Sequence, residues 1–229
     1  MCRVLVFVRL LEHQLATTSS PTQSTEMRSQ PRQVRSQERV NQILDAAEEL
    51  FIREGYEATK MRALAKAADV SVGSIYQFFK DKSEILQALH VRYLELFQQR
   101  INALDDEVMV QLPLPDYADQ VVDLCNQFLM DYPGYYAIFN QTQNLPPGWQ
   151  KTEDSLNAEI LRNWAIELNQ RDANLTQKDC EAIAFVLLKT IDNLLWLAQG
   201  QDAEFRDRLV QEAKRFTLSY LQSYCSTTE

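Results

Sequence analysis

The stretch Thr59-Lys-Met-Arg-Ala-Leu-Ala-Lys-Ala-Ala-Asp69-Val-Ser-Val-Gly-Ser-Ile-Tyr-Gln-Phe-Phe79 reads as two short helices joined by a tight turn. After Thr59, a suitable N-cap, Met61, Leu64, Ala65 and Ala68 recur at three- and four-residue spacing and so share one helix face. Asp69 stands where the chain must turn; Gly is the cheapest residue there, and Asp tolerates left-handed dihedrals better than most. Ser71 then caps a second helix. Ile75, Phe78 and Phe79 point back toward the first, leaving Ser71, Val72, Ser74, Tyr76 and Gln77 facing outward. Gly73 sits in the first turn of this helix, where it costs about 1 kcal/mol relative to Ala and so implies a packing or close-approach requirement. Two helices joined in this way form a helix-turn-helix, whose second helix lies in the major groove of DNA.

Outward from that stretch the pattern stays helical. Val40, Ile43, Leu44, Ala47, Leu50 and Phe51 form an apolar stripe over about Ser36 to Arg53, and Gly55 sits where a C-cap glycine belongs. Asp81 and Glu84 resemble a capping box opening a long helix from about Lys82 to Val110, closed by Pro113 and Pro115. Further helices are expected over 116–130, through 135–139, over 152–169, from the cap Thr176 to Ala198, and after Gly200. The expected fold is all-α with about nine helices, without alternating strands or hairpin turns. An N-terminal three-helix helix-turn-helix domain precedes an all-helical ligand-binding and dimerisation domain. The expected division is a flexible extension over 1–33, the helix-turn-helix domain over 34–82, a connector helix over 82–110 and the second domain over 111–229.

From Glu38 to about Ala103 the chain resembles the DNA-binding domain of the TetR family of bacterial transcriptional regulators. The resemblance rests on Leu50-Phe51-Ile52-Arg53-Glu54-Gly55-Tyr56, on the helix that follows Thr59, and on Val70-Ser71-Val72-Gly73-Ser74-Ile75-Tyr76-Gln77-Phe78-Phe79-Lys80-Asp81-Lys82-Ser83-Glu84. It covers about a third of the chain. Two departures are visible: the family's turn usually carries Gly where this chain has Asp69, and a basic or polar residue is common where it has Val72. The second bears on which bases are read.

The net charge of −9 argues against indiscriminate binding to nucleic acid, yet its distribution is uneven. Residues 28–103 carry 12 Lys/Arg against 10 Asp/Glu, whereas residues 104–229 carry 9 against 20. The acidity lies in the second domain. Phosphate contacts are expected from Thr59, Lys60, Arg62, Tyr76, Lys80 and Lys82, with Arg28, Arg32 and Arg35 as a basic arm. Ordinary solvated surface is the competing reading of each of these cations. Base contacts are expected from the Ser71, Val72, Gly73, Ser74 and Gln77 face: an amide edge for adenine, hydroxyls for several bases and a methyl surface for thymine. With few charges facing the duplex, the salt dependence is expected to be modest.

The helix from Ala182 to Ala198 is apolar almost all round, and the last helix carries Phe205, Leu209, Ala213, Phe216, Tyr220 and Tyr224 on one stripe. These two, the eighth and ninth expected helices, are therefore expected to pack against their copies in a homodimer, and a symmetric dimer fits double-stranded DNA with a palindromic operator. The competing reading is a larger monomeric core. The second domain is also rich in aromatic residues. Relatives of the TetR type hold a small-molecule effector there, so the resemblance implies an apolar or aromatic effector against Phe128, Tyr132, Tyr136, Phe139, Trp164, Asn193 and Trp196. Each of these aromatics has a core reading too. It further implies a repressor relieved by the effector; the alternatives are an effector-independent activator and a thiol-based redox sensor.

Enzymatic machinery is not visible. The chain has two histidines, His13 and His90, neither at metal-binding spacing with Cys or carboxylate, and no Ser elbow, phosphate loop or dinucleotide fingerprint. No cofactor or metal is expected. Cys2, Cys125, Cys180 and Cys225 are scattered, which fits reduced thiols in the cytoplasm. Val4-Leu-Val-Phe-Val8 is too short to span a bilayer and is followed by Arg9, so no membrane segment is expected; a signal peptide is the runner-up. Thr17 to Gln33 has the Ser/Thr/Gln/Pro composition of a flexible arm. Met27 before Arg28 is read as a second translation start, which N-terminal sequencing of native protein would decide.

Overall fold

The computed structural model describes residues 26–104, 106–141 and 149–225, and these fold into ten helices. They are α1 (Glu26–Glu54), α2 (Met61–Ala67), α3 (Val72–Tyr76), α4 (Lys82–Asn102), α5 (Asp106–Gln111), α6 (Leu114–Asp131), α7 (Pro133–Gln141), α8 (Trp149–Arg171), α9 (Gln177–Gln199) and α10 (Ala203–Gln222). The apolar run at residues 4–8 lies outside the described residues, as do the loop at 142–148 and the Arg28 and Arg32 side chains.

The described chain divides into two compact units. One ends at Tyr93 and also holds 137–141; the other holds Leu94–Tyr136 and the residues from Gln150 onward. In the first unit, Ile43, Leu44, Ala47, Leu50 and Phe51 of α1 are buried with Leu64, Ala65, Ala68, Ile75, Phe79, Ile85, Leu86 and Leu89. α1 ends on Gly55 at φ 84, a dihedral that costs glycine nothing and other residues about 1 to 2 kcal/mol. Arg92 of α4 bridges Asp45 (2.5 Å) and Glu48 of α1, and the Glu48 carboxylate also accepts the Tyr93 hydroxyl at 2.5 Å. This cluster ties α1 to α4.

In the second unit α10 packs on both α6 and α9. α9 opens with a full capping box: Thr176 Oγ1 accepts the Asp179 N–H, and the Asp179 carboxylate accepts the Thr176 N–H. The hydroxyl bond from Thr176 holds the Asp179 carboxyl below the usual carboxylate range. Asp202 caps α10 through the Phe205 N–H.

Three boundaries differ from those read in the sequence. The helix expected over 82–110 is two, α4 and α5, because Asn102, Asp105 and Asp106 favour a helix end and a new start over a helix interior. Pro115 does not break the chain; with Pro113 at the N-cap it lies in the first turn of α6, where a missing N–H costs no hydrogen bond. Residues 26–33, expected as part of a flexible arm, are helical, so α1 begins ten residues ahead of Ser36 and runs through Pro31.

Candidate nucleic-acid interface

The turn between α2 and α3 is closed by the backbone. Asp69 N–H donates to Lys66 O (3.3 Å) and Val70 N–H to Ala65 O (2.9 Å), the paired bonds of a Schellman motif. Asp69 is the left-handed residue of that motif, at φ 50. The Gln42 amide of α1 adds a 2.7 Å bond to Ala68 O, so the turn is held to the scaffold as well as to itself. Asp therefore fills the left-handed position in place of glycine.

Ser71 caps α3: its Oγ accepts the Ser74 N–H at 3.0 Å and lies 2.8 Å from Ser74 Oγ. Ile75, the fourth residue of this five-residue helix, is fully buried. The opposite side is open. Gly73, Tyr76 and Gln77 are exposed on α3, with Lys80 just beyond it, and Val72 and Ser74 are half-exposed beside them. Tyr76 is 54 % exposed, high for an aromatic residue. A Cβ on Gly73 would meet only Ser71 Oγ, at 3.8 Å. No internal packing explains this glycine. Lys60 and Arg62 are exposed at the start of α2, and Arg35 is exposed on α1.

Two of the expected phosphate contacts are placed otherwise. Thr59 is 2 % exposed and does not cap α2; Lys60 holds the N-cap position, with extended dihedrals, and the Thr59 hydroxyl donates to Gly55 O at 2.8 Å. A hydroxyl turned inward to close the α1 terminus is not presented to a phosphate. Lys82 Nζ is likewise engaged with the backbone carbonyls of Tyr56, Glu57 and Thr59. Asp81 caps α4 instead, accepting the Ser83 hydroxyl and the Ser83 and Glu84 N–H groups; these bonds, the hydroxyl bond foremost, hold its carboxyl below the usual range. Sequence spacing carries no signal for the Lys82 cluster or for Arg92 and Glu48, because their partners lie more than twenty residues away.

The second unit contains a continuous aromatic chain. Phe97 meets Phe128 (4.9 Å between centroids), Phe128 meets Tyr132 (5.0 Å) and Tyr135 (5.9 Å), and Tyr135 and Tyr136 both meet Trp196 (5.6 and 4.9 Å). Arg100, paired with Asp131 at 2.6 Å, lies 5.8 Å from the Phe128 and Tyr132 rings. Of the expected effector residues, Phe128, Tyr132, Tyr136 and Trp196 belong to this chain, and Trp164 is buried on α8. Two are placed elsewhere. Phe139 packs on His90 (5.1 Å) and Tyr93 (6.3 Å) in the first unit, and Asn193 is exposed on α9. Among the described residues, burial pushes the Cys125 thiol up to about 12 and raises Cys180 and Cys225, which suppresses thiolate at these three positions.

No described helix is long and apolar enough to cross a membrane, and no cluster of potential metal ligands occurs among the described residues.

Residues 43–89, which contain the helix-turn-helix, match the profile of bacterial regulatory proteins of the tetR family, and residues 113–221 match the tetracyclin repressor-like C-terminal domain. An HTH-type transcriptional regulator of Haemophilus influenzae is 30 % identical over 168 residues, 72 % of this chain and 83 % of that protein. The repressor KstR of Rhodococcus jostii is 43 % identical over 63 residues, 28 % of this chain and 30 % of that one. Among solved structures, a TetR-family regulator from Haemophilus influenzae superposes with a TM-score of 0.54 at 26 % identity, covering 78 % of this chain and 96 % of its own. A transcriptional regulator from Rhodococcus shares the fold, at a TM-score of 0.64 and 16 % identity over 83 % of this chain and 99 % of its own. With both of its domains matched and most of its length shared with such a relative, the chain belongs to the TetR family of bacterial transcriptional regulators, which are not enzymes.

Proposed function

We propose that this regulator is a cytoplasmic homodimeric repressor that reads a palindromic operator with paired copies of α3 and releases it when a small apolar effector binds the helical domain. The observation that carries the reading is the open face of α3, where Gly73, Tyr76 and Gln77 are exposed beside Lys80 while Ile75 anchors the other side. Val72, Ser74 and Gln77 supply base contacts; Tyr76, Lys80, Lys60 and Arg62 supply phosphate contacts. Ser71, whose hydroxyl is engaged as the cap, orders the segment. KstR, similar over the DNA-reading third, is named a repressor, which favours repression over activation.

An electrophoretic mobility shift tests the reading: wild-type protein should retain a duplex enriched from a random-sequence pool against excess unselected duplex. No preference for the enriched duplex would refute it. Gly73 sharpens the test. Gly73→Ala has room and improves helix propensity, so it should raise stability by about 0.5 to 1 kcal/mol in denaturant unfolding. If the glycine admits a phosphate or base, the same variant should bind duplex at least about tenfold more weakly. Unchanged affinity would remove Gly73 from the contact set.

Dimerisation through α9 and α10 is supported by the apolar surface they leave uncovered. Phe185, Leu197, Phe205 and Tyr224 are each 44–54 % exposed, and Phe216, Tyr220 and Tyr224 continue as a run of touching rings. Two-fold pairing would cover them and set the two α3 helices about 34 Å apart, the spacing of successive major grooves. Phe185→Asp with Phe205→Asp is expected to halve the mass in light scattering and to remove operator binding. A dimeric mass in that variant would place the interface elsewhere.

The effector reading is supported by the aromatic chain from Phe97 to Trp196, together with Arg100 Nη1, Asn126 Oδ1 and Gln199 Nε2, which are buried without a hydrogen bond among the described residues. Apolar walls with a few convergent polar groups are the usual make-up of a small-molecule site. α4 runs unbroken from Lys82 to Asn102 and is the proposed transmitter of the effector's binding energy.

A further inference from the structure

We propose that the face of α1 bearing Arg35 and Arg39 is a second duplex-binding surface, one that takes backbone phosphates and reads no bases. This rests on the DNA-binding reading above and extends its footprint to the helix that otherwise serves the reader as scaffold. Arg35, Arg39, Gln42 and Ala46 recur at intervals of four, three and four residues and so share one side of α1. That side is closed at one end and open at the other. Ala46 is buried, in the helix that packs on α2. One turn earlier the Gln42 amide donates to Ala68 O at 2.7 Å, the carbonyl that precedes the left-handed turn residue Asp69. Arg39 Nη1 donates in turn to Gln42 Oε1 at 3.1 Å, and Arg35 lies exposed a turn beyond it. The face on which Gln42 meets the α2–α3 turn therefore continues past that turn as two cations, the nearer one tied to the turn through a single amide.

The partners of these cations decide what the face can hold. In the same unit Arg53 meets Glu54 at 2.9 Å and Arg92 meets Asp45 and Glu48, whereas Arg35 and Arg39 make no ion pair among the described residues. Glu38, the carboxylate between them in sequence, is exposed and also makes none. A guanidinium has five N–H donors, and Arg39 uses one of them on a neutral amide, which leaves its charge uncompensated and its other donors free for oxygen. Charge complementarity selects the partner. Residues 28–42 carry four Lys/Arg against one Asp/Glu, while residues 104–229 carry 9 against 20, so a polyanion is drawn to this end of α1 and repelled by the second domain. Continuity with the reader selects it again, because the same duplex that receives α3 presents phosphates beside the turn to which Arg39 is tied. Spaced guanidinium groups on one helix face match phosphate oxygens and carry no base information.

Phosphate contact and base reading leave different signatures. With a duplex enriched by the wild-type protein, the double variant Arg35→Met, Arg39→Met should bind about tenfold or more weakly, with the same factor lost on an unselected duplex. The slope of log affinity against log salt should fall by about 0.9 for each phosphate contact removed. Met equals Arg in helix propensity and both positions are exposed, so the variant should unfold at the wild-type denaturant midpoint. Arg35→Lys with Arg39→Lys keeps the charge and should keep the slope. Lys178→Met, which removes an exposed charge from the first turn of α9, should change neither affinity nor slope. A wild-type slope in the double Met variant, a loss confined to the enriched duplex, or a slope lowered as much by Lys178→Met would overturn the proposal.

Phenylglyoxal modification of wild-type arginines, followed by mass spectrometry, needs no variant. Added duplex should protect Arg35 and Arg39 and leave the exposed Arg162 of α8 reacting at its free rate. Arg39 reacting equally fast with and without duplex would also overturn it. Failure of the wild-type protein to enrich any duplex would overturn the DNA-binding reading itself, an outcome distinct from both.

Discussion

Replacing Ile75 with alanine is expected to destabilise the N-terminal unit by about 2 to 4 kcal/mol and to abolish duplex binding, the usual range for emptying a fully buried aliphatic site. α3 has five residues, too few to be stable alone, so its conformation comes from packing and capping rather than from propensity. Ile75 is its only buried side chain, and its carbonyl also receives the Phe78 and Phe79 N–H groups, both at 2.9 Å. Emptying that site removes the anchor of the helix that presents Tyr76 and Gln77. Ile75→Val, which deletes one methylene, should cost about 0.5 to 1.5 kcal/mol and preserve binding. Tyr76→Ala separates the two roles: with the side chain mostly in solvent, stability should stay within about 0.5 kcal/mol while affinity falls. Denaturant unfolding followed by circular dichroism measures both. A midpoint for Ile75→Ala within error of wild type would mean that α3 is held by something other than this side chain.

What the sequence made legible follows from how local the governing physics is. The stripe Ile43, Leu44, Ala47, Leu50 and Phe51 is buried because its period alone puts those residues on one face, and Ser71, Thr176 and Gly55 occupy their caps because capping depends on residues within three positions. Asp69 at a left-handed dihedral belongs to the same class. The N-cap of α2 was misread by one residue. Thr59 has the right chemistry for it, but its hydroxyl bonds back to Gly55 O four residues earlier, and Lys60 holds the cap position.

The rest depended on partners distant in the chain. Arg92 with Glu48, Lys82 with Tyr56 and Arg171 with Met109 are joined across 44, 26 and 62 residues, and no spacing rule reports such pairs. Aromatic content pointed to a cluster in the second domain but could not sort its members. Phe128 and Trp196 lie in one chain of rings, while Phe139 on α7 packs on His90. The break between α4 and α5 was written in Asn102, Asp105 and Asp106, and the apolar periodicity running on through Ile101 concealed it.

Arg171→Ala is expected to loosen the second unit by about 2 to 3 kcal/mol, the cost of leaving carbonyls of a helix end without their charged donor. Arg171, the last residue of α8, donates Nη1 to Leu112 O at 2.9 Å and Nη2 to Met109 O, so one guanidinium closes the C-terminal end of α5. Its Cζ lies 4.0 Å from the centroid of the Tyr117 ring, whose hydroxyl donates to Glu167 at 2.9 Å, one turn back along α8. Burial raises the Tyr117 phenol well above its ordinary value, so it remains a neutral donor throughout the working pH range. α5 has only six residues and links α4 to α6, which makes this clamp the main brace on a helix too short to persist alone. Arg171→Lys keeps the charge but not the fork: one ammonium cannot span both carbonyls and stack flat on Tyr117, so about half the loss should remain. Amide exchange at residues 109–112 should quicken in both variants, more in Arg171→Ala, while exchange in α2 and α3 stays at the wild-type rate. Equal protection of 109–112 in wild type and Arg171→Ala would show that α5 is braced by its own packing, with the guanidinium incidental to it.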